Sequence, residues 1–343
     1  MREKLIIGVS GLFLVIQSVQ SWAQWRLENI KPITNKKEGW FMCPRWSPDG
    51  KKIAFTREKW RGIYLKNADG SGDIEKITEN GSGCEIVWLP DSNIILFCVE
   101  NQLKFKRVGS KGSKSVITMR EGYVGPASLF WVPTMGLFYN TIKISNIEAE
   151  RNEFSIIICD LEGNIKREIK SDIKSAGKIS PDGSKIAYPE PLVRGKLVTF
   201  DTMRVWLTDA AGGNKKLVME GSDLLPIKWA PDSKKLLIGR GWYMDVYMIE
   251  SGEVFNLDRG DEMNWSPDGE WMVYVILEDD GHYITSSEIY IIRYDGTQKN
   301  QLTNTTDLIE KYPIFAPDGS KIAFSTLNGV IYTADIAKKE GEK

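Results

Sequence analysis

Pro44-Arg45-Trp46-Ser47-Pro48-Asp49-Gly50-Lys51-Lys52-Ile53-Ala54-Phe55 is a phrase that the chain repeats. It returns around Trp88-Leu89-Pro90-Asp91-Ser92, Trp229-Ala230-Pro231-Asp232-Ser233, Trp265-Ser266-Pro267-Asp268-Gly269 and Phe315-Ala316-Pro317-Asp318-Gly319. Ile179-Ser180-Pro181-Asp182-Gly183 keeps all but the aromatic, and Trp131-Val132-Pro133-Thr134 is a worn copy. Successive motif prolines lie 36 to 50 residues apart. A period of that length means one supersecondary unit, copied and stacked.

Each copy has an apolar run on both sides of its Pro-Asp-Gly, as in Ile53-Ala54-Phe55 and Ile322-Ala323-Phe324. That arrangement reads as a β-hairpin, because proline presets φ, Asp bonds its own backbone and Gly accepts positive φ. A second set of turns falls out of phase with the first: Asn67-Ala68-Asp69-Gly70, Asp160-Leu161-Glu162-Gly163, Asp209-Ala210-Ala211-Gly212 and Tyr294-Asp295-Gly296. Each unit therefore has four antiparallel strands and no room for helices, which is a propeller blade. The fold expected is all-β: a seven-bladed β-propeller of four-stranded antiparallel blades, with six or eight blades as alternatives. The motif tryptophans are expected to pack between blades.

The last copy, from Ala316 to about Ile336, supplies only three strands. Lys31-Pro32-Ile33-Thr34-Asn35 resembles the outer strand Lys76-Ile77-Thr78-Glu79-Asn80, so an N-terminal strand is expected to complete the last blade. Such closure removes exposed sheet edges. The boundaries read are a signal peptide over 1–23, a propeller over 26–337 and a charged tail over 338–343.

These motifs resemble the TolB-type (WD40-like) propeller repeat, with Trp46-Ser47-Pro48-Asp49-Gly50 followed by Lys51-Lys52 and Ile53-Ala54-Phe55 as a close match. The last copy departs from it at Phe315 and Ala316. Proteins with this repeat include TolB, the propellers of dipeptidyl-peptidase-like enzymes and oligogalacturonate lyases. The resemblance implies fold far more than function. The α/β domain of TolB itself has no counterpart in the residues ahead of the first propeller strand.

Arg2 and Lys4, the apolar run Leu5 to Ile16 and Ser21-Trp22-Ala23 read as a secretory signal peptide, placing the chain in the periplasm or outside the cell, with no transmembrane anchor after cleavage. The 45 basic and 46 acidic residues balance, which argues against nucleic acid. Of the four cysteines, Cys43 and Cys84 precede the motif prolines of adjacent blades and form the candidate disulfide.

One histidine, His282, gives no histidine cluster, and no Gly-x-Ser-x-Gly elbow is present. The chain is therefore expected not to be an enzyme and to need no cofactor and no metal. The expected function is a scaffold that binds a protein partner of the cell envelope, or another extended ligand, on its loop face. The alternatives are a carbohydrate-active, lyase-type propeller enzyme and a structural subunit of an envelope complex. Loops on a rigid scaffold carry recognition, and Trp, Tyr and Arg dominate interface energy. The candidate binding residues are Trp60, Arg61, Arg194, Arg240, Trp242, Tyr243, Asp279, Asp280, His282 and Tyr283.

Overall fold

The structure, a computed structural model, describes residues 24–80, 86–91, 93–99, 102–118, 123–133, 135–143, 153–170, 177–194 and 197–339. The signal-peptide reading, over 1–23, lies outside them. Seven four-stranded antiparallel sheets form seven blades over residues 41–78, 87–118, 123–170, 178–221, 227–259, 261–301 and 310–339. The worn copy at Trp131 still makes a full blade. In the last blade, Gln24–Pro32 pairs with Ile331–Lys339 and supplies the fourth strand. That pairing extends to Gln24↔Lys339 and Trp25↔Lys338, so Lys338 and Lys339 belong to the blade and not to a tail. Lys338 Nζ stands 4.7 Å from the Trp25 ring centre. Ring closure continues through Ile33 N–H donating to Ile331 O (2.8 Å) and Phe41 N–H to Gly329 O (2.8 Å).

The core lies between blades. Trp271, Val273 and Val275 of the sixth blade pack on Phe315, Ile322 and Phe324 of the seventh. Phe41, Trp46 and Phe55 of the first pack on Ala316, Ala323 and Ile331 of the seventh. The five remaining pairs of neighbouring blades are joined by clusters of the same kind. Each blade buries both faces against its neighbours, which is why its strands read as near-continuous apolar runs.

The repeated motif joins the ring in two ways. In its turn, the Asp carboxylate accepts the N–H two residues on, as Asp49 does from Lys51 (3.0 Å) and Asp182 from Ser184 (2.9 Å). In its strand, the tryptophan indole N–H crosses to the preceding blade. Trp229 donates to Lys178 O (2.8 Å), Trp265 to Lys228 O (3.3 Å) and Trp46 to Ile314 O (3.4 Å). Each acceptor is the residue just before the neighbouring copy's aromatic position, so these three tryptophans pack between blades, as expected, and also staple them.

Candidate functional site

The loops joining the second and third strands of each blade gather on one face. In the fifth blade, Gly241-Trp242 lies between Lys235–Arg240 and Tyr243–Met248. In the sixth, Asp280 to Tyr283 lies between Trp271–Asp279 and Ile284–Arg293. Together they wall a cavity of about 510 Å³, lined by Trp242, Tyr243, Arg259, Asp279, His282 and Tyr283 among others. Trp242 is 67% exposed and Tyr283 77%. Large rings left this open on a folded surface are available to a ligand.

Several charged residues in and beside this cavity are already engaged. Asp280 accepts N–H bonds from His282 (2.9 Å) and Tyr283 (2.8 Å), which hold its carboxyl below the usual range. Asp279 accepts from Gly281 N (2.9 Å). These two carboxylates shape the turn. Arg240 pairs with the buried Asp245 (2.8 Å), and Arg259 donates to Leu277 O and pairs with Glu278 (3.2 Å).

The structure thus brings Trp242, Tyr243, Asp279, His282 and Tyr283 together, with Arg240 and Asp280 supporting their loops. Trp60 and Arg61 stand apart on the first blade. Trp60, in a tight turn at φ 60°, meets Tyr312 of the seventh blade edge-on at 6.0 Å between ring centres. Arg194 ends the strand Lys185–Arg194, and its side chain lies outside the described residues.

A second group of residues, which were not singled out in the sequence, lies on the innermost strands. Arg45, Lys178, Lys228 and Asn264 each precede the motif aromatic position of their own blade. Alternation along a strand sends that side chain to the face opposite the packed aromatic, and Lys228 accordingly reaches the sixth blade while Trp229 reaches the fourth. In the sixth and seventh blades the register shifts between Asp261 and Asn264 and between Lys311 and Ile314. Glu262 (φ 55°) and Tyr312 (φ 55°) sit in those bulges, and a bulge re-aims a side chain.

Lys228 Nζ donates to Met263 O (2.7 Å) and Asn264 Oδ1 (3.2 Å). Burial, reinforced by the Arg45 and Lys178 charges, lowers its pKa to about 8, although Glu262 opposes this. Burial also lowers the Arg45 pKa. Glu262 is raised by burial and pairs with Lys311 (2.9 Å), while its other oxygen accepts the Tyr312 N–H. Burial and Glu262 push the Tyr312 hydroxyl up to about 12.

A third titratable pair lies at the junction of the sixth and seventh blades. Glu310 is fully buried, its Oε1 accepting the Thr305 hydroxyl (3.0 Å). Glu288 Oε1 accepts the Thr305 N–H (3.0 Å). The Oε2 atoms of both carboxyls are buried without a partner. Burial is the first cause that raises the Glu310 pKa, to about 7, and Glu288 adds to it. Of the cysteines, Cys43 is disulfide-bonded, Cys98 and Cys159 are buried thiols, and Cys84, the partner expected for Cys43, lies outside the described residues. Burial pushes the Cys159 thiol up to about 12, which makes it unreactive.

No family model matches the chain. A curated protein of Agrobacterium fabrum described as uncharacterized is 26% identical over 166 residues, covering 46% of this chain. The chain spans about half the length of that relative, 51%. Among solved structures, an oligogalacturonate lyase in complex with manganese is similar at TM-score 0.67 and 14% identity, with 92% of this chain and 96% of that one covered. An oligogalacturonate lyase from Vibrio parahaemolyticus gives 0.62 and 15%, covering 91% and 96%. A chain of the mitotic checkpoint complex gives 0.60 and 15%, covering 98% of each.

At these identities the likeness shows the fold alone. It corrects the expectation that this chain is not an enzyme. Two of the similar structures are lyases, and motifs that serve as structural punctuation do not argue against catalysis in the loops around them. Among the described residues, no group of three or more His, Cys, Asp or Glu stands together as a ligand set. What is shown is a seven-bladed, all-β propeller similar in fold to the oligogalacturonate lyases.

Proposed function

We propose that this chain is a carbohydrate-active propeller enzyme of lyase type, which takes an oligosaccharide on its loop face. The observation that carries the proposal is the open cavity of the fifth and sixth blades, with the exposed rings of Trp242, Tyr243 and Tyr283. Aromatic faces stack on the apolar faces of sugar rings and keep a polar edge in water. The likeness in fold to lyases acting on oligogalacturonate supports the same reading.

The reaction of the proposal is an elimination. A base takes the proton from the carbon beside the sugar carboxylate, and the bond from the next carbon to the glycosidic oxygen breaks. That oxygen leaves with a proton, and a double bond conjugated to the carboxylate remains. A positioned cation stabilises the charge that builds up on the carboxylate.

Affinity electrophoresis through gels containing single polysaccharides tests the binding half. The account expects retardation in an acidic glycan. It expects that retardation to be lost in a folded Trp242→Ala, Tyr283→Ala double variant. Equal migration of the wild type with and without every glycan tried would refute the proposal.

A further inference from the structure

Ser287, in the strand Ile284–Arg293 of the sixth blade, forms a parallel bridge with Ile309, the residue before the strand Glu310–Phe315 of the seventh. The Ser287 hydroxyl donates to Glu310 O (2.5 Å) and fixes that pairing. One step along both chains, Glu288 therefore stands opposite Glu310. Side chains alternate along a strand, and directly opposed ones share a face, with neighbouring strands about 4.8 Å apart. Both carboxyls also reach one residue. Thr305 donates its N–H to Glu288 Oε1 (3.0 Å) and its hydroxyl to Glu310 Oε1 (3.0 Å).

The second oxygen of each carboxyl, Oε2, is buried and meets no donor, neither a lysine nor an arginine. Glu310 is wholly enclosed at 0% exposure, while Glu288 and Thr305 are half-buried. Like charges directly opposite on adjacent strands repel, and buried oxygens without partners add to the cost. A proton answers one of the two charges, and burial keeps one on Glu310 up to about pH 7. Above that pH both carboxyls are charged, and a cation between them answers both.

We propose that Glu288 and Glu310 hold a hard divalent cation, calcium or magnesium, between their two free oxygens. The donors at hand are all oxygens: the two carboxylates and, beside them, the Thr305 hydroxyl. Oxygen donors without nitrogen or sulfur suit calcium and magnesium and not the softer metals. Water completes the shell, entering beside the exposed Asn304, Thr306 and Asp307 of the connection between the two blades. A cation there ties the sixth blade to the seventh. The site does not depend on the carbohydrate reading, because the loop-face cavity is lined at Ile284 and by neither glutamate.

Calorimetric titration and thermal unfolding of the full chain, first freed of metal by a chelator, test the site with calcium chloride and with magnesium chloride. Binding of one or both is expected at pH 8, with a melting temperature that rises with cation concentration. Below about pH 7 the cation must displace the Glu310 proton, so affinity should fall about tenfold per pH unit. The other groups on which these carboxyls act, the Tyr290 and Tyr332 hydroxyls, stay protonated across that range. Glu310→Gln and Glu288→Gln each keep the side chain's shape and remove one charge, and each should weaken binding about tenfold or more. Where Glu310→Gln does not fold, Glu288→Gln, at a half-buried position, decides. No binding of either cation at pH 8 overturns the proposal. So does binding that both variants retain at wild-type strength, or that is equal at pH 8 and pH 5.5, since the cation then sits elsewhere.

Discussion

Glu310→Gln should stabilise this propeller at pH 8 and much less near pH 5. The Glu310 carboxyl is fully buried, one of its oxygens has no partner, and burial raises its pKa to about 7 from the 4.5 of a free carboxyl. Between those values the folded chain keeps a proton that the unfolded chain has released. The folded state therefore binds more protons, and stability falls as pH rises through the window, levelling above about 7. At 1.36 kcal/mol per pKa unit the ceiling of the penalty is about 3 kcal/mol. Solvent relaxation at the blade end reduces it to about 1–2 kcal/mol. Glutamine keeps an acceptor for the Thr305 hydroxyl, turns an amide toward the second oxygen's place, and carries no charge against Glu288. Urea unfolding of both proteins at several values from pH 5 to 8.5, compared by midpoint at constant slope, reads the difference directly. A gain equal at all pH values, or no gain at pH 8, would refute the assignment of a buried, proton-holding Glu310.

Three further outcomes follow from particular contacts. Lys228 titrates low in the folded chain, so the unfolded state binds the extra proton between about 8 and 10.5, and stability should rise with pH across that window. Lys228→Met should abolish that slope in the same unfolding series. Trp229→Phe removes an indole N–H bonded at 2.8 Å to Lys178 O and should cost about 1 kcal/mol beyond packing. Trp88→Phe, whose Nε1 has no partner, should cost less, and equal losses in thermal unfolding would contradict the stapling role. Gly260→Ala would set a Cβ 2.4 Å from the Tyr274 ring behind the loop-face cavity, so a loss of about 1–3 kcal/mol is expected. An unchanged melting temperature would show that the ring moves freely.

The blades were legible because their signals are local. Proline, Asp and Gly in the motif specify a turn whatever surrounds them, and even Trp131-Val132-Pro133-Thr134 marks a blade. Closure was legible because Lys31-Pro32-Ile33-Thr34 repeats an outer-strand pattern. The tail reading failed at Lys338, where pairing with Trp25 continues the strand beyond the apolar residues. The inner-strand polar residues passed unnoticed because their partners come from another blade: Lys228 bonds Met263 O and Asn264, which only the packing of the fifth blade on the sixth brings to it. One signal was present in the sequence. Arg45, Lys178, Lys228 and Asn264 hold the same place in their copies, and two-residue alternation turns that place to the blade face opposite the aromatic. Asp279 and Asp280 were candidates for binding, yet both carboxylates tie the turn backbone. Trp60 and Trp242 were read as one face; both lie in loops between the second and third strands of their blades, Trp60 against Tyr312 and Trp242 in the cavity of the fifth and sixth blades.

The central claim is that this propeller cleaves an acidic glycan by elimination. The full chain should be incubated with polygalacturonate while the ultraviolet absorbance of a conjugated double bond is followed. The account predicts a steady rise that is reduced about tenfold or more in the folded Trp242→Ala, Tyr283→Ala variant. A flat trace with polygalacturonate and with every other polyuronate, from a chain shown to be folded, would contradict it.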